Sequence, residues 1–500
     1  MPMIRTRVWD ITSSRCQEVE APDDVPVARL MVILVERMNL PLNSPDGQIM
    51  SYKLHHKRTG QQLLDQQTLA EAGVLSGDDL RIQPEITAGT WEEPAMDDRR
   101  ATPWVLEENR DRFERFRRIA WWDQERLARA RVLVVGAGAL GNEVLKNLAL
   151  LGVGRIAVAD MDLVERTNLC RSVLFREGDE GQPKARAAAR AAGELFPGIE
   201  AHALVANVLG EVGLGWFRWA EVVVGALDNR EARLHVNASC AQMGRPWIDG
   251  GIDVLNGIVR GFAPPGTACY ECTLGEADWK LIEARRSCAL LARRAAAEGA
   301  VPTTPTTASV VGAIQAQEVV KRLHGLEHLS GSGFVFEGLT HGSYAVRYPV
   351  SDQCPWHEPP PPVEPVAAFD SQTPLAVLWD YAAARLGPLD ALDFARELVA
   401  ELACPVCGRR RGVFRPLAAI DEAMAVCADC GGECVPELLH GLSAGAERLA
   451  VSAGALGLPP WDVVWARAGE RVLGIELAGD RPESAAYLPA APAEHEELPT

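Results

Sequence analysis

Residues 160–184 read DMDLVERTNLCRSVLFREGDEGQPK, and just upstream, at 132–143, stands VLVVGAGALGNE. The upstream run is an apolar strand that opens onto Gly136, Gly138 and Gly141 and then a helix. That pattern marks any doubly wound fold that seats a phosphate at a helix N-terminus. The longer stretch narrows the ligand. A nicotinamide enzyme needs one acid behind its second strand, to hold ribose hydroxyls. Here Asp160, Asp162, Asn168, Arg171 and Lys184 follow at fixed offsets. Two acids, an amide and two cations suit a polyphosphate and a developing negative charge, so the stretch reads as an ATP site and not an NAD site.

Composition sets the outer bounds. A chain of 500 residues suggests about three domains, at roughly 150 residues each. The formal charge of −18, with no basic stripe, disfavours nucleic acid or an anionic membrane as partner. No apolar run reaches the ~20 residues that spanning a bilayer needs, and the N-terminus lacks a basic-then-apolar signal pattern. Of the twelve cysteines, six sit in Cys-x-x-Cys pairs, which points to metal ligands in a reducing cytoplasm and not to disulfides.

Six segments separate along the chain. In residues 1–88, IRTRVWD and RCQEVE read as a hairpin and PVARLMVILVERMNL as a helix with Leu30, Leu34 and Met38 on one face. YKLHHK and GDDLRIQP add strands. The order strand, strand, helix, strand, short helix, strand is that of a ubiquitin-like β-grasp domain. Residues 89–111 are acidic and without period, which reads as a linker. In 112–357 the strands VLVVG, IAVAD and EVVVGALD alternate with helical stretches, which predicts an α/β core with a mostly parallel sheet and ligands at the strand C-termini. Residues 358–366 hold Pro359–Pro362, a stiff linker. The segment 367–440 holds Cys404-Pro-Val-Cys407 and Cys427-Ala-Asp-Cys430, with nineteen residues between the inner cysteines and a glycine after each pair. This is zinc-ribbon spacing; Cys434 stands close enough to be a substitute ligand. Residues 441–500 have no readable role.

Several motifs recur in one order: Gly-Ala-Gly-Ala-Leu-Gly, Asp-x-Asp, Asn-Leu-x-Arg, Gly-Gln-Pro-Lys, Ala-Leu-Asp-Asn at 226–229, the pair Cys269 and Cys272, and PTTPTTASVVGAIQAQEVVK at 302–321. The set resembles the ThiF/MoeB family of ubiquitin-activating and sulfur-carrier-activating adenylyltransferases from about Arg112 to His357. TLAEAGVLSGDDLRI in the first segment resembles the YukD-type branch of the ubiquitin superfamily. The resemblance implies a Rossmann-like adenylation core, usually paired as a homodimer, that uses ATP and Mg²⁺ to activate a ubiquitin-like or sulfur-carrier protein. A downstream conjugating enzyme or sulfur donor would be a further partner. The first segment ends Ile86-Thr87-Ala88-Gly89 and runs on into Thr90, so it is expected to dock or regulate and not to be the activated carboxylate itself.

An acyl-adenylate forms when a carboxylate attacks the α-phosphorus of ATP, so the site must bring two anions together with fixed cations and a metal. Lys184 and Arg171 are the expected cations and Asp228 the Mg²⁺ ligand, since magnesium commonly takes one or two carboxylates. Asp160 is expected on the ribose, with Asp162 and Asn168 supporting ribose and phosphate, while Gly136, Gly138 and Gly141 admit the backbone to the nucleotide. By resemblance, Arg115 is the arginine that family members supply from before the first strand, although Phe116 follows where the family has glutamine. Cys269, Cys272, Cys354 and His357 match the family's structural zinc set, with histidine in place of the last cysteine. Cys288, flanked by Arg285, Arg286, Arg293 and Arg294, lies where the family often carries a thioester-forming nucleophile, and nearby cations lower a thiol's pKa. Cys170, inside the nucleotide motif, is expected to pack. The alternatives are sulfur-carrier adenylation without an enzyme thioester, an NAD-dependent oxidoreductase, and a non-catalytic scaffold. Pyrophosphate exchange against hydride transfer separates the first reading from the second class.

Overall fold

The computed structural model describes residues 3–10, 16–41, 50–84, 111–280 and 302–485. They fall into two compact units, Met1–Trp122 and Asp123–Thr500.

The first unit is built on β1 (Met3–Trp9), β2 (Cys16–Pro22), β3 (Tyr52–His56), β4 (Gln62–Leu63) and β5 (Asp79–Pro84), in the order β2-β1-β5-β3-β4. The first and last strands pair in parallel at the centre, and the hairpin β1–β2 is antiparallel. Helix Val27–Arg37 lays Val27, Leu30, Met31 and Leu34 on this sheet, against a core that includes Val8, Leu54, Leu80 and Ile82. Leu30 and Leu34 are on the buried face as the periodicity predicts. The short helix expected before the last strand is a run of turns over 69–73. Thr68 and Glu71 exchange side-chain-to-backbone bonds of 3.0 and 3.2 Å in the manner of a helix-opening capping box, but Gly73 enters the left-handed region at φ +67° only two residues later, so the chain turns away before a helix can propagate.

The core sheet of the second unit has eight strands: β6 (Arg131–Val135), β7 (Arg155–Ala159), β8 (Glu200–Leu204), β9 (Val222–Gly225), β10 (Trp247–Asp253), β11 (Asn256–Phe262), β12 (Ser332–Glu337) and β13 (Gly342–Arg347). Their order is β13-β12-β11-β10-β9-β6-β7-β8. The five from β8 to β10 are parallel, and the three beyond β10 are antiparallel. Val132, Leu133, Val134, Val222, Val223 and Val224 are buried on both faces of the sheet, as parallel central strands require. Because the chain moves from β6 outward to β8 and then returns to β9 on the other side, the switch point of the sheet lies between β6 and β9. Helix Ala139–Leu151 packs against helix Pro305–Leu323 so closely that a Cβ on Gly312 would meet Glu143 Cβ at 2.7 Å.

A third sheet joins β14 (Val363–Pro365), β15 (Ala391–Ala403), β16 (Arg410–Pro416), β17 (Val435–Ser443), β18 (Val463–Ala468) and β19 (Arg471–Glu476) in the order β14-β19-β18-β15-β16, with β17 also on β15. It crosses the expected divisions at 366 and 440: the end of the proline-rich stretch and the last segment belong to the same sheet as the first Cys pair. Helix Leu375–Leu386 covers it with Leu375, Leu378 and Ala382. The sheet docks on the core through Trp461, which meets Trp216 at 4.9 Å between ring centroids. Asp462 Oδ1 accepts the Leu214 N–H at 2.9 Å, and buried Glu476 accepts from Trp461 Nε1 and from Arg218 of helix Leu214–Trp219. Among the described residues, no helix is long and apolar enough to cross a membrane.

Asp78 locks the turn of the first unit. Its carboxylate accepts from Leu75 N–H at 2.8 Å, from buried His56 Nε2 at 2.9 Å and from Arg58 Nη2 at 3.0 Å. The Arg58 hydrogen bond leads in holding this carboxyl well below the usual range. A depressed folded-state pKa stabilises above the unfolded carboxyl value of about 3.9 and loses that contribution as pH falls below it. Arg58 is half exposed, which weakens its share. Hydrogen-exchange protection across Tyr52–His56 should therefore be flat from pH 7 to about 5 and decline below about 4. Asp78→Ala should lower it at pH 7 by about 1–3 kcal/mol and remove the acid-dependent part. Unchanged protection in the variant would refute the assignment.

Candidate nucleotide and metal sites

The loop after β6 approaches the loop after β9 across the switch point. Gly136, at φ +97°, stands so near that a Cβ there would meet Ala226 O at 2.3 Å, and Gly141 has the same constraint from Gly136 O at 2.0 Å. Gly138 is different: a Cβ on it would meet nothing within 4 Å, so its backbone faces open space. Ala137 N–H donates to Asp160 Oδ2 at 2.7 Å, and Asp162 N–H to Asp160 Oδ1 at 2.8 Å. Burial pushes the Asp160 carboxyl up, while these two N–H groups and the nearby Lys184 pull it back.

The stretch 160–184 folds back on itself. An antiparallel bridge joins Leu163 to Pro183, and Lys184 N–H donates to Asp162 O at 2.8 Å. Lys184, at the start of helix Lys184–Leu195, is thereby brought to Asp162, with Nζ 2.8 Å from Oδ2. The lysine side chain is 12% exposed and the aspartate 53%. Asn168 is buried and accepts Glu165 N–H at 3.0 Å, closing the turn Arg166–Asn168. Arg171 donates through Nη1 to Thr167 O at 2.8 Å, leaving the rest of its guanidinium without a protein partner among the described residues. Asp228 is exposed, two residues beyond the start of its loop at Ala226, and its Oδ1 accepts from Asn229 Nδ2 at 3.0 Å. Asn229 caps helix Arg230–Gln242, accepting Ala232 N–H at 2.8 Å. Asp160 and Asp228 thus follow the C-terminal ends of β7 and β9, and Lys184 begins the helix into which the 160–184 stretch leads. Arg115 heads the turn Phe116–Arg118 in the first unit. Cys288 and its four arginines lie outside the described residues.

Three buried polar side chains hold this edge together and were missed in the sequence. Asn142 donates to Ala137 O at 2.7 Å and Gly138 O at 3.0 Å and accepts Leu174 N–H at 2.9 Å, which ties the glycine loop to the 160–184 stretch. Its place directly after the glycine motif was the available signal. Gln315 donates to Gly225 O at 2.9 Å and Ile248 O at 3.2 Å, joining β9 to β10. Asp249, fully buried, is gripped by Arg233 Nε and Arg260 Nε, each at 2.9 Å. Nothing in the local sequence distinguishes Gln315 or Asp249 from an ordinary helix or strand residue. Cys170, expected to pack, is exposed, because its turn points the thiol outward toward Thr167 O.

Two cysteine clusters are assembled as predicted. The donor atoms of Cys269, Cys272, Cys354 and His357 all lie within 4.8 Å of one another, as do those of Cys404, Cys407, Cys427 and Cys430. Sulfur separations of 3.4 and 3.9 Å in the first set, and 3.4 and 3.6 Å in the second, lie within about 0.4 Å of the ~3.8 Å that tetrahedral Zn–S bonds of about 2.3 Å imply. The chemistry of both sets fits zinc. Burial pushes the Cys269 and Cys354 thiols up, so a cation is what would keep them as thiolates. In the second set the N–H of Asp429 leads in bringing Cys427 down to about 6, and the N–H of Cys407 leads in lowering Cys404. Those are the donors a knuckle directs at a metal-bound sulfur. Asn237, on helix Arg230–Gln242, donates to Cys269 Sγ at 3.5 Å and links the first cluster to the core. Cys434 packs beside the second cluster among Val399, Leu402 and Ile420.

A parallel sheet with a glycine loop after β6 and acids after the neighbouring strands β7 and β9 has the layout of a nucleotide-binding α/β fold. The chain belongs to the ThiF family of adenylyltransferases and E1-like activating enzymes: the family's profile matches residues 111–355. The profile of protein YukD of the WXG100 protein secretion system matches residues 7–82, so the first unit carries a ubiquitin-like domain. Similar proteins include the sulfur carrier protein adenylyltransferase of Thermus thermophilus, 34% identical over 261 residues, covering 50% of this chain and 92% of that one. The SAMP-activating enzyme E1 of Haloferax volcanii is 34% identical over 244 residues, covering 46% and 82%. The sulfur carrier protein ThiS adenylyltransferase of Escherichia coli is 30% identical over 238 residues, covering 47% and 89%.

Metal analysis of the purified protein should return two zinc ions per chain. Cys430→Ser should reduce that to one and, because structural zinc contributes directly to folding, lower the melting temperature of the third sheet. Stoichiometry near one in the unaltered protein would rule out one of the two closed sets.

Proposed function

We propose that the chain uses ATP and Mg²⁺ to adenylate the C-terminal carboxylate of a ubiquitin-like or sulfur-carrier protein. The reading is supported by Gly138, Asp160 and Asp228 following the C-terminal ends of the neighbouring parallel strands β6, β7 and β9, with Lys184 held at Asp162, in a chain of this family. The carrier's carboxylate oxygen attacks the α-phosphorus, a C–O–P linkage forms, and the bond to pyrophosphate breaks. Bound Mg²⁺ would neutralise phosphate charge, with Asp228 as its carboxylate ligand. Asp160, held rigid by two N–H donors, offers its outer lone pairs to ribose hydroxyls. Lys184 exchanges its Asp162 partner for phosphate oxygens, and Arg171 turns its unpaired guanidinium edge to the same charge. Asp162 then serves as the resting counter-ion of Lys184, and Asn168 as the brace of the turn that carries Arg171. The two zinc sets are closed and structural.

A homodimer in the cytoplasm, transfer of the acyl group to Cys288, and a conjugating enzyme or sulfur donor as the next partner complete the proposal. The ubiquitin-like domain acts as a docking or regulatory module. The relatives' names support adenylation over hydride transfer or a purely scaffolding role.

Labelled pyrophosphate should exchange into ATP only when carrier protein and Mg²⁺ are both present. Removing a fixed contact to developing charge costs about 10²–10³ in rate, so Lys184→Ala and Asp228→Ala should each fall by at least that much. Normal exchange by either folded variant would sink the site assignment.

Cys288→Ala separates the two activation routes. It should leave exchange intact and abolish a reductant-sensitive enzyme–carrier adduct, since a thioester requires a nucleophilic thiolate and an adenylate does not. Buried Cys240, whose thiol burial pushes well above its ordinary value, should be replaceable without loss of the adduct. An adduct that persists in Cys288→Ala assigns the thioester elsewhere; no adduct in the unaltered protein favours sulfur-carrier adenylation without one.

A further inference from the structure

The loop 226–229 carries Asp228 and is tethered at both ends. At its start Ala226 N–H donates to Val135 O at 2.8 Å, and Gln315 Nε2 to Gly225 O at 2.9 Å. At its end Asn229 caps the following helix. Between these, one side chain reaches the loop's interior. Arg233, one turn into helix Arg230–Gln242, donates through Nη2 to Leu227 O at 2.6 Å and to Gly250 O at 3.0 Å. Its Nε donates to Asp249 Oδ1 at 2.9 Å. The arginine side chain is 11% exposed and Asp249 is fully buried, so little solvent screens the contact.

We infer that Arg233 is a positioning residue for divalent-metal binding, acting through the Leu227 carbonyl to aim the neighbouring carboxylate of Asp228. The inference rests on the reading of Asp228 as the Mg²⁺ ligand. An arginine present only to neutralise Asp249 would need only that carboxylate. Arg233 instead turns its other donor edge to the peptide immediately before Asp228 and to Gly250 in the middle of the adjacent strand β10. Its forked geometry holds three acceptors at once, which the point charge of a lysine cannot reproduce. Arg260 is the internal comparison. It grips the same carboxylate, with Nε 2.9 Å from Oδ2 and an Nη2 contact to the same oxygen, but makes no bond to the 226–229 loop. Removing Arg233 leaves Asp249 paired with Arg260, so the buried charge is not orphaned and the fold has reason to survive. Partners that orient a metal ligand are worth about 10- to 100-fold in metal affinity.

The experiment uses the full chain with ATP and Mn²⁺ as a paramagnetic substitute for Mg²⁺, reading bound manganese by electron paramagnetic resonance. Binding of ATP alone is measured in EDTA. Arg233→Gln and Arg233→Lys should each weaken ATP-dependent manganese binding by about tenfold or more, while metal-free ATP affinity stays within about twofold. Amide exchange at 226–229 without any ligand should quicken in both. Arg260→Gln should leave the manganese midpoint in place. The inference is overturned if Arg260→Gln shifts that midpoint as far as Arg233→Gln does, or if Arg233→Gln weakens ATP equally with and without metal. Either result reduces Arg233 to a packing role. If the unaltered protein binds no more manganese with ATP than without, the proposed function itself falls, a different failure from an unshifted Arg233 variant.

Discussion

Ala137 donates its backbone N–H to the half-buried carboxylate of Asp160 at 2.7 Å, and the loops at the C-terminal ends of β6 and β7 are organised around that bond. It holds the loop after β6 to the end of β7. The glycine loop can sit there only because Gly136 and Gly141 bring backbone to distances that no Cβ would tolerate. Once this loop is in place, Asn142 finds the Ala137 and Gly138 carbonyls and ties Leu174 to them. The 160–184 stretch is thereby fixed over helix Ala139–Leu151, and Lys184 is delivered to Asp162. Several polar groups are satisfied by a few buried bonds in low dielectric, where each contact is stronger and each orphan costs more.

The other side of the switch point follows the same principle with charge in place of amides. A fully buried carboxylate is unfavourable unless paired. Asp249 has two arginines, and one of them uses its remaining donors to hold the Asp228 loop. Helix Arg230–Gln242 runs from that loop, past Arg233, to Asn237 beside Cys269. One rigid element therefore spans the distance from the proposed metal–nucleotide contact to a structural metal cluster.

The third sheet is welded to the core and not strung from it. Trp216, Trp219, Trp461 and Trp465 share one buried cluster with core strand residues Leu133 and Val223. Glu476 is fully buried with both carboxylate oxygens occupied, and Asp462 supplies an acceptor to the start of helix Leu214–Trp219. Aromatic packing of this size dominates an interface, and the polar groups fix its register. The second cysteine cluster hangs from the long strand β15 and the start of β17, so its metal would secure the far end of the same sheet.

Much of this was legible in the residue order. Unbroken valine runs before glycine loops specify buried parallel strands, since no amphipathic element can bury both faces. Cys-x-x-Cys pairs specify knuckles, since only close thiols can share a metal. The acids and cations of 160–184 and 226–229 identified their edge because strand ends and loop offsets are local properties. The short helix before β5 is reduced to a turn because Gly73, at φ +67°, ends it two residues after the Thr68–Glu71 capping box opens it. What only tertiary structure decided is long-range. The union of 363–365 with 463–476 in one sheet, the Trp216–Trp461 contact across 245 positions, and the choice of Arg233, Asp249 and Gln315 as braces depend on partners far away in the chain. A buried charge or amide carries no local pattern of its own: its role is set by which distant backbone groups the folded chain leaves in need of a partner.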